Sequence, residues 1–358
     1  MATDLTRRHF AGLCAALGLA PLSTFASASG VPSFLSAYRD PAGTFGVAAL
    51  DEAGTVLFTE ALPARGHDTV VSPDQRWAVT FARRPGRFAL VIDLHRQEPA
   101  FAFEAAPGRH FYGHGFFSPD ARLLYATEND YEGERGLLGI YDVAGGYVRT
   151  GAFETHGIGP HEALLLCDGT TIAVANGGIL THPDFPRQKL NLASMAPSIS
   201  YLSRETGDLL EQVSLPAGMN QLSIRHMTQA GDGSIWFGGQ YEGAPTDAVA
   251  LVGRHQRGGE ITLISLPEDE RAALRQYVGS IKSSADGEQI AMTSPRGGLA
   301  IILGAQNQAV LDVRAVADVC GVAPERSGFA FSTGRGDILA SRNALIDVSW
   351  DNHLRSLA

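Results

Sequence analysis

The chain has 358 residues, with 38 acidic residues against 28 Lys and Arg, a formal net charge of −10 and a pI near 5.5. Nucleic-acid-binding domains usually carry a basic patch and a high pI, so this balance argues against nucleic acid, and equally against anionic lipid, as a partner. Forty-one glycines beside 44% hydrophobic residues indicate many turns between short strands.

The first 28 residues read as an address rather than as fold. Thr6-Arg7-Arg8-His9-Phe10 is a twin-arginine pattern. An apolar run from Ala11 to Leu22 follows, and Ala26-Ser27-Ala28 is a small-residue cleavage site. The run is short for a span, which needs about 20 apolar residues. The expectation is a signal peptide over 1–28, export to the periplasm by the twin-arginine route, and no membrane span after cleavage. Cys14 would leave with the signal, and Cys167 and Cys320 would remain, too far apart in the strand register to form a disulfide.

From residue 29 onward the pattern is all-β. Apolar runs such as Trp77–Phe81, Phe88–Ile92, Leu123–Ala126, Leu137–Tyr141, Thr171–Ala175, Ile235–Gly238 and Gln289–Met292 are separated by SPD, DG, GG and TG turns. VVSPDQRWAVTFARRPGRFALVIDL aligns with FFSPDARLLYATENDYEGERGLLGIYDV, each reading strand, turn, strand, hairpin, strand. The turn aspartates Asp74, Asp120, Asp168, Asp232 and Asp286 recur at 46, 48, 64 and 54 residues. Four-stranded propeller repeats run about 40–50 residues. Units beginning near Phe45, His67, His114, His161, His226, Ser280 and Cys320 make one seven-bladed β-propeller over 29–358, with six or eight blades as alternatives. The last residues are expected to complete the first unit and close the ring. The only helical signal is Glu268–Tyr277.

The same register exposes a candidate site. His67, His114, His161 and His226 each precede the turn aspartate of their unit by six or seven residues, and Ser280 and Cys320 take the equivalent places in later units. The innermost strands of a propeller surround a central channel, so these side chains should converge on one axis. Imidazoles gathered in this way suit a transition metal. Cys320 is a reserve ligand. So is His182, on the proline-containing segment 177–197, which is too long for an ordinary connection and should fold over one face. Other candidates are the carboxylates Glu128, Asp130 and Glu162 as acid or base. Arg83, with its neighbour Arg84, and Arg225 are candidate cationic ligand contacts. Glu162 should point away from His161 into the blade stack and need a partner there.

RGHD, FARRPGRFALVID, YGHGFFSPDARLLYATENDY, GIGPHE, VANGGILTHPDFPR, QLSIRHM and TSPRGG together resemble the bacterial family called DUF1513, over roughly residues 31–345. That resemblance implies a secreted propeller-like protein, often encoded beside imelysin-type lipoproteins and a dihaem thiol-oxidoreductase-like protein. It therefore implies periplasmic handling of iron or another metal, with other iron-handling proteins as partners. It assigns no activity and no ligands. PHEALLLCDGTTIAVAN is similar, more distantly, to the repeat of lactonase-type propellers, and copper-binding propellers share the histidine logic alone. Three functions are therefore expected in order: a periplasmic metal binder using iron or copper as cofactor or cargo, a lactonase-like hydrolase or metal-dependent oxidase, and a protein-binding scaffold.

Overall fold

The computed structural model describes residues 30–185 and 188–357; the expected signal peptide lies outside the described residues. Seven antiparallel sheets form seven blades. Blades two to seven each use four consecutive strands, and their innermost strands are Gly66–Val71, Arg109–Phe117, Pro160–Leu165, Leu222–Gln229, Ser280–Ser283 and Val319–Pro324. The first blade is assembled from both ends of the chain. Phe34–Arg39, Phe45–Leu50 and Val56–Leu62 supply its outer strands, while Ser349–Trp350 and Arg355–Ser356 pair with Phe34–Arg39 on the inner side. The ring therefore closes by strand pairing rather than by covalent continuity, as the sequence suggested.

Burial falls off outward along each blade. Second strands such as Trp77–Ala82 and Thr171–Asn176 are buried on both faces, because each is covered by a neighbouring blade on either side. Outermost strands such as Val148–Glu154 alternate half-buried and exposed residues, which is the period-two pattern of a strand with one face in water. The core is a set of inter-blade layers. The largest layer runs through Ala175, Tyr201, Ile224, Phe237, Trp236, Ile281 and Ile301.

The recurring aspartate is a structural fastener. In the second blade Ser72 Oγ donates to Asp74 Oδ1 and accepts from the Trp77 amide, while the Arg76 amide donates to Asp74. Ser118 and Asp120, and Ser284 and Asp286, repeat this arrangement. The turn fixes the register between first and second strands, and so fixes which residue at the far end of each first strand reaches the axis. The helical expectation holds over Glu268–Ala273.

Candidate metal centre

A β-bulge interrupts the innermost strand of most blades at the same level. Register slips between Gly66 and Thr69, Phe111 and Gly115, Pro160 and Glu162, Ile224 and His226, and Val319 and Val322. A bulge re-aims a side chain, and here it turns His67, His114, His161 and His226 towards one point. Gly113 adopts φ +104 within the bulge before His114, and a Cβ there would stand 2.5 Å from His67 Cδ2. Only glycine lets that backbone pass so close to the neighbouring imidazole.

A fifth imidazole completes the group. His353 lies between the two C-terminal strand pieces, in the innermost position of the first blade. Asp351 N donates to Ala37 O, and Ser36 Oγ donates to His353 O. Ring centroids are separated by 4.8 Å for His67–His114, 4.9 Å for His114–His161, 4.7 Å for His161–His226, 4.7 Å for His226–His353 and 4.6 Å for His353–His67. All five are buried. Donor atoms of His67, His114 and His161, and again of His114, His226 and His353, lie within 4.8 Å of one another. His114 belongs to both sets.

Carboxylates from adjacent blades orient three of the rings. His67 Nδ1–H donates to Asp351, His114 Nδ1–H to Asp68 and His226 Nδ1–H to Glu162, each at 3.2 Å. In every case the carboxylate sits one blade before the histidine it holds. Asp68 directly follows His67 and Glu162 directly follows His161, so the residue after one ring histidine serves the next. Where that residue is Gly115, after His114, the next histidine loses its support: His161 Nδ1 has no hydrogen-bond partner among the described residues. A carboxylate only accepts, so the proton sits on Nδ1 of the three held rings and leaves Nε2 with a free lone pair. His114 Nε2 and His353 Nε2 are likewise buried without a hydrogen-bond partner among the described residues. Unspent buried nitrogens are expensive in an apolar interior. A metal ion would satisfy them, and neutral imidazoles are the right donors for one.

Burial lowers His67 to about 3 and His226 to about 4, and pushes His161 and His353 well below the ordinary imidazole value, with neighbouring imidazoles adding to the effect in His161 and His353. Burial alone would raise the three carboxyls. The His67 hydrogen bond with Arg83 and Arg65 beside Asp351, Arg355 beside Asp68, and Lys282 beside Glu162 overcome it and hold all three below the usual carboxylate range. Arg355 Nη2 lies 2.6 Å from Asp68 and Lys282 Nζ 3.3 Å from Glu162. Each carboxylate thus has its own cation, and its charge is balanced without drawing on the imidazoles.

Other candidates fall elsewhere. Cys320 occupies the histidine slot of its blade, but its Sγ lies 3.4 Å from Ser332 O and 3.6 Å from Trp350 O. A thiol one bond beyond Cβ stays at its strand, where an imidazole reaches the axis; Cys320 is not in the ring, and burial raises it to about 12. Both Cys167 and Cys320 are free. His182 is also outside the ring. Its segment does fold over blades three to five, with Lys189 on Glu242 and Thr181 beside Asn129, but the His182 ring packs 5.0 Å from Tyr131. Glu128 is buried in the third blade under Tyr141 (2.6 Å) and Arg149 (3.0 and 3.1 Å), and Asp130 pairs with Arg135 at 2.9 Å. Both are committed to structural ion pairs away from the axis. Glu162 finds the partner it needed in His226, Lys282 and the Met227 amide. It therefore positions a ring rather than facing open space. Arg83 and Arg225 line a small cavity that opens onto His67, His161 and His226, together with Arg84, Tyr112, Gln240, Tyr277 and Asn352.

Fold and site define a seven-bladed β-propeller whose axis carries buried histidine and carboxylate clusters capable of coordinating a metal ion. The chain belongs to the DUF1513 family of proteins of unknown function, whose model matches residues 60–357. No curated protein matches it. Among solved structures, a chain of Kuenenia stuttgartiensis hydrazine synthase is similar over 91% of this chain and 100% of that one, with a TM-score of 0.62 and 14% identity. The β-propeller domain of Myceliophteria thermophila Cps50 (Swd1) is similar over 87% of this chain and 95% of that one, with a TM-score of 0.58 and 10% identity. At these identities the likeness is one of fold. Among the described residues no helix is long and apolar enough to cross a membrane.

Proposed function

We propose that this protein is a periplasmic metal-binding propeller that holds one first-row transition metal on its axis through His67, His114, His161, His226 and His353. The observation that carries the reading is the set of buried ring nitrogens with free lone pairs, three of the rings being aimed by a carboxylate on the preceding blade. Such carboxylate–histidine pairs fix ring orientation and raise ligand basicity at metal sites. An all-imidazole donor set suits copper, iron, nickel and zinc. Iron or copper in uptake or handling is the reading that the expected export route and family setting favour. The metal would supply Lewis-acid or redox chemistry. The residues of this chain orient the donors, balance the charge and exclude bulk water.

The cavity beside His67, His161 and His226 supports a second reading, in which the bound metal acts on a small substrate. A hydrolase or an oxidase at that metal would also call on an acid or base, and Glu128, Asp130 and Glu162 are all engaged in other hydrogen bonds.

Titration of chelator-stripped protein with Fe(II), Cu(II) and Zn(II) tests the reading. One equivalent should bind to wild type and none to His114→Ala, whose ring is common to both donor sets. Equal binding by both proteins would refute it. The export reading is tested by Arg7→Lys with Arg8→Lys: unprocessed protein should stay in the cytoplasm, and normal periplasmic accumulation would refute it.

A further inference from the structure

The mouth of the axial channel is built from cations in a protein whose net charge is −10. Arg83, Arg84 and Arg225 line one cavity of about 50 Å³, and its wall includes His67, His161 and His226. Two of these guanidiniums have unspent donors. Arg225 is buried, its Nη2 is 3.6 Å from Glu242 Oε1, and its Nε has no hydrogen-bond partner among the described residues. Arg83 Nη1 is buried 3.6 Å from Asp351 Oδ1 and likewise lacks a hydrogen-bond partner among the described residues. Glu242 is shared with Lys189, and Asp351 with Arg65 and His67, so neither carboxylate is free to neutralise the arginines alone. Burial, and after it the charge of Arg84, lower Arg225 to about 10, so it keeps its charge at neutral pH at a cost. Tyr112, Tyr277, Gln240 and Asn352 add neutral hydrogen-bonding groups around the same space.

Like charges gathered around a cavity with unused donors are the design of an anion site. Guanidinium groups bind carboxylate and oxyanion groups through paired charge-assisted hydrogen bonds. We propose that this vestibule binds one small oxyanion or monocarboxylate, held by Arg83, Arg84 and Arg225 directly over the histidine ring. The volume restricts the ligand to a few heavy atoms, and the position places it against the donors of the axial site. The site is formed by the chain itself and does not require the metal, so the two readings fail separately.

The test uses calorimetric titration of chelator-stripped protein with sodium phosphate and with sodium formate, at constant ionic strength set by chloride. At least one of them should bind saturably at one per chain. Arg225→Gln should weaken that binding at least about tenfold, because a hydrogen bond to a charged group is lost. Arg84→Gln, at a more exposed position, should weaken it too, and it keeps the test open if Arg225→Gln fails to fold. His114→Ala should retain anion binding while losing metal. Absence of saturable binding of either anion to wild type, or binding that is unchanged in folded Arg225→Gln and Arg84→Gln, would overturn the proposal.

Discussion

Replacing Glu162 by Gln separates orientation of the ring from stability of the fold. Glu162 is 2% exposed and receives three donors: His226 Nδ1 at 3.2 Å, the Met227 amide at 3.0 Å and Lys282 Nζ at 3.3 Å. A glutamine at the same place keeps one acceptor oxygen and turns an NH₂ donor towards one of these donors. It also leaves Lys282 facing a neutral group. Loss of hydrogen bonds to a buried charge costs about 1.5–3 kcal/mol, and loss of a second partner from a metal-bound histidine typically costs about 10–100-fold in metal affinity. Glu128→Gln is the matched control. Glu128 is equally buried and takes Arg149 and Tyr141 as donors, but serves no ring histidine. Both variants should lose comparable stability in urea unfolding of the metal-free protein. In competition with a chromophoric chelator, only Glu162→Gln should lose metal affinity, by at least about tenfold. Equal affinities in the two variants would refute the claim that inter-blade carboxylates aim the ring.

Further outcomes follow from the same geometry. A metal that binds the native state raises the melting temperature by mass action, by about 2.7 kcal/mol of stability at 100 times the dissociation constant; wild type should respond to added metal and reverse with chelator, and a response of similar size in His114→Ala with His226→Ala would count against the site. Gly113→Ala puts a Cβ 2.5 Å from His67 Cδ2 at a positive φ, so it should cost about 1–3 kcal/mol and displace His67. Metal affinity in that variant should fall even under conditions where circular dichroism shows it folded, and wild-type affinity there would contradict the close approach. Cys167 is exposed, whereas the Cys320 thiol is buried and raised to about 12. Native protein at pH 8 should therefore be alkylated at Cys167 and at Cys320 only after unfolding, as peptide mass mapping would show; rapid native labelling of Cys320 would contradict its place between the last and first blades.

Much of the architecture was legible because one turn chemistry repeats. Ser72–Asp74, Ser118–Asp120 and Ser284–Asp286 make the same hydrogen bonds, so counting back from each aspartate lands on one level of the channel. That count found four of the five converging histidines. It missed His353, whose strand ends the chain and is followed by no such turn. The signal was present all the same: once the C-terminal residues are expected to complete the first blade, a histidine among them belongs to the vacant inner position. The count also placed Cys320 on the axis, since register gives position and not reach. The bulges were not legible, because they arise from pairing between strands and depend on local sequences as different as GHD, YGHG and RHM. Without them the inter-blade pairing of Asp68, Glu162 and Asp351 with the next histidine could not be read, although Glu162, a carboxylate facing the blade stack, signalled the need for a partner. Glu128 and Asp130, two residues apart on one strand, look like an acid and a base in sequence, yet Arg149 and Arg135 claim them from other strands.

The central claim is that five imidazoles on the propeller axis hold a transition metal in the cell. Elemental analysis of the protein purified from the cells that naturally make it, without added metal or chelator, addresses it most directly. The account predicts about one equivalent of a single first-row transition metal per chain in wild type, and a sharp loss in a folded His114→Ala protein purified in the same way. Wild type without metal above background, or metal content unchanged in the variant, would contradict it.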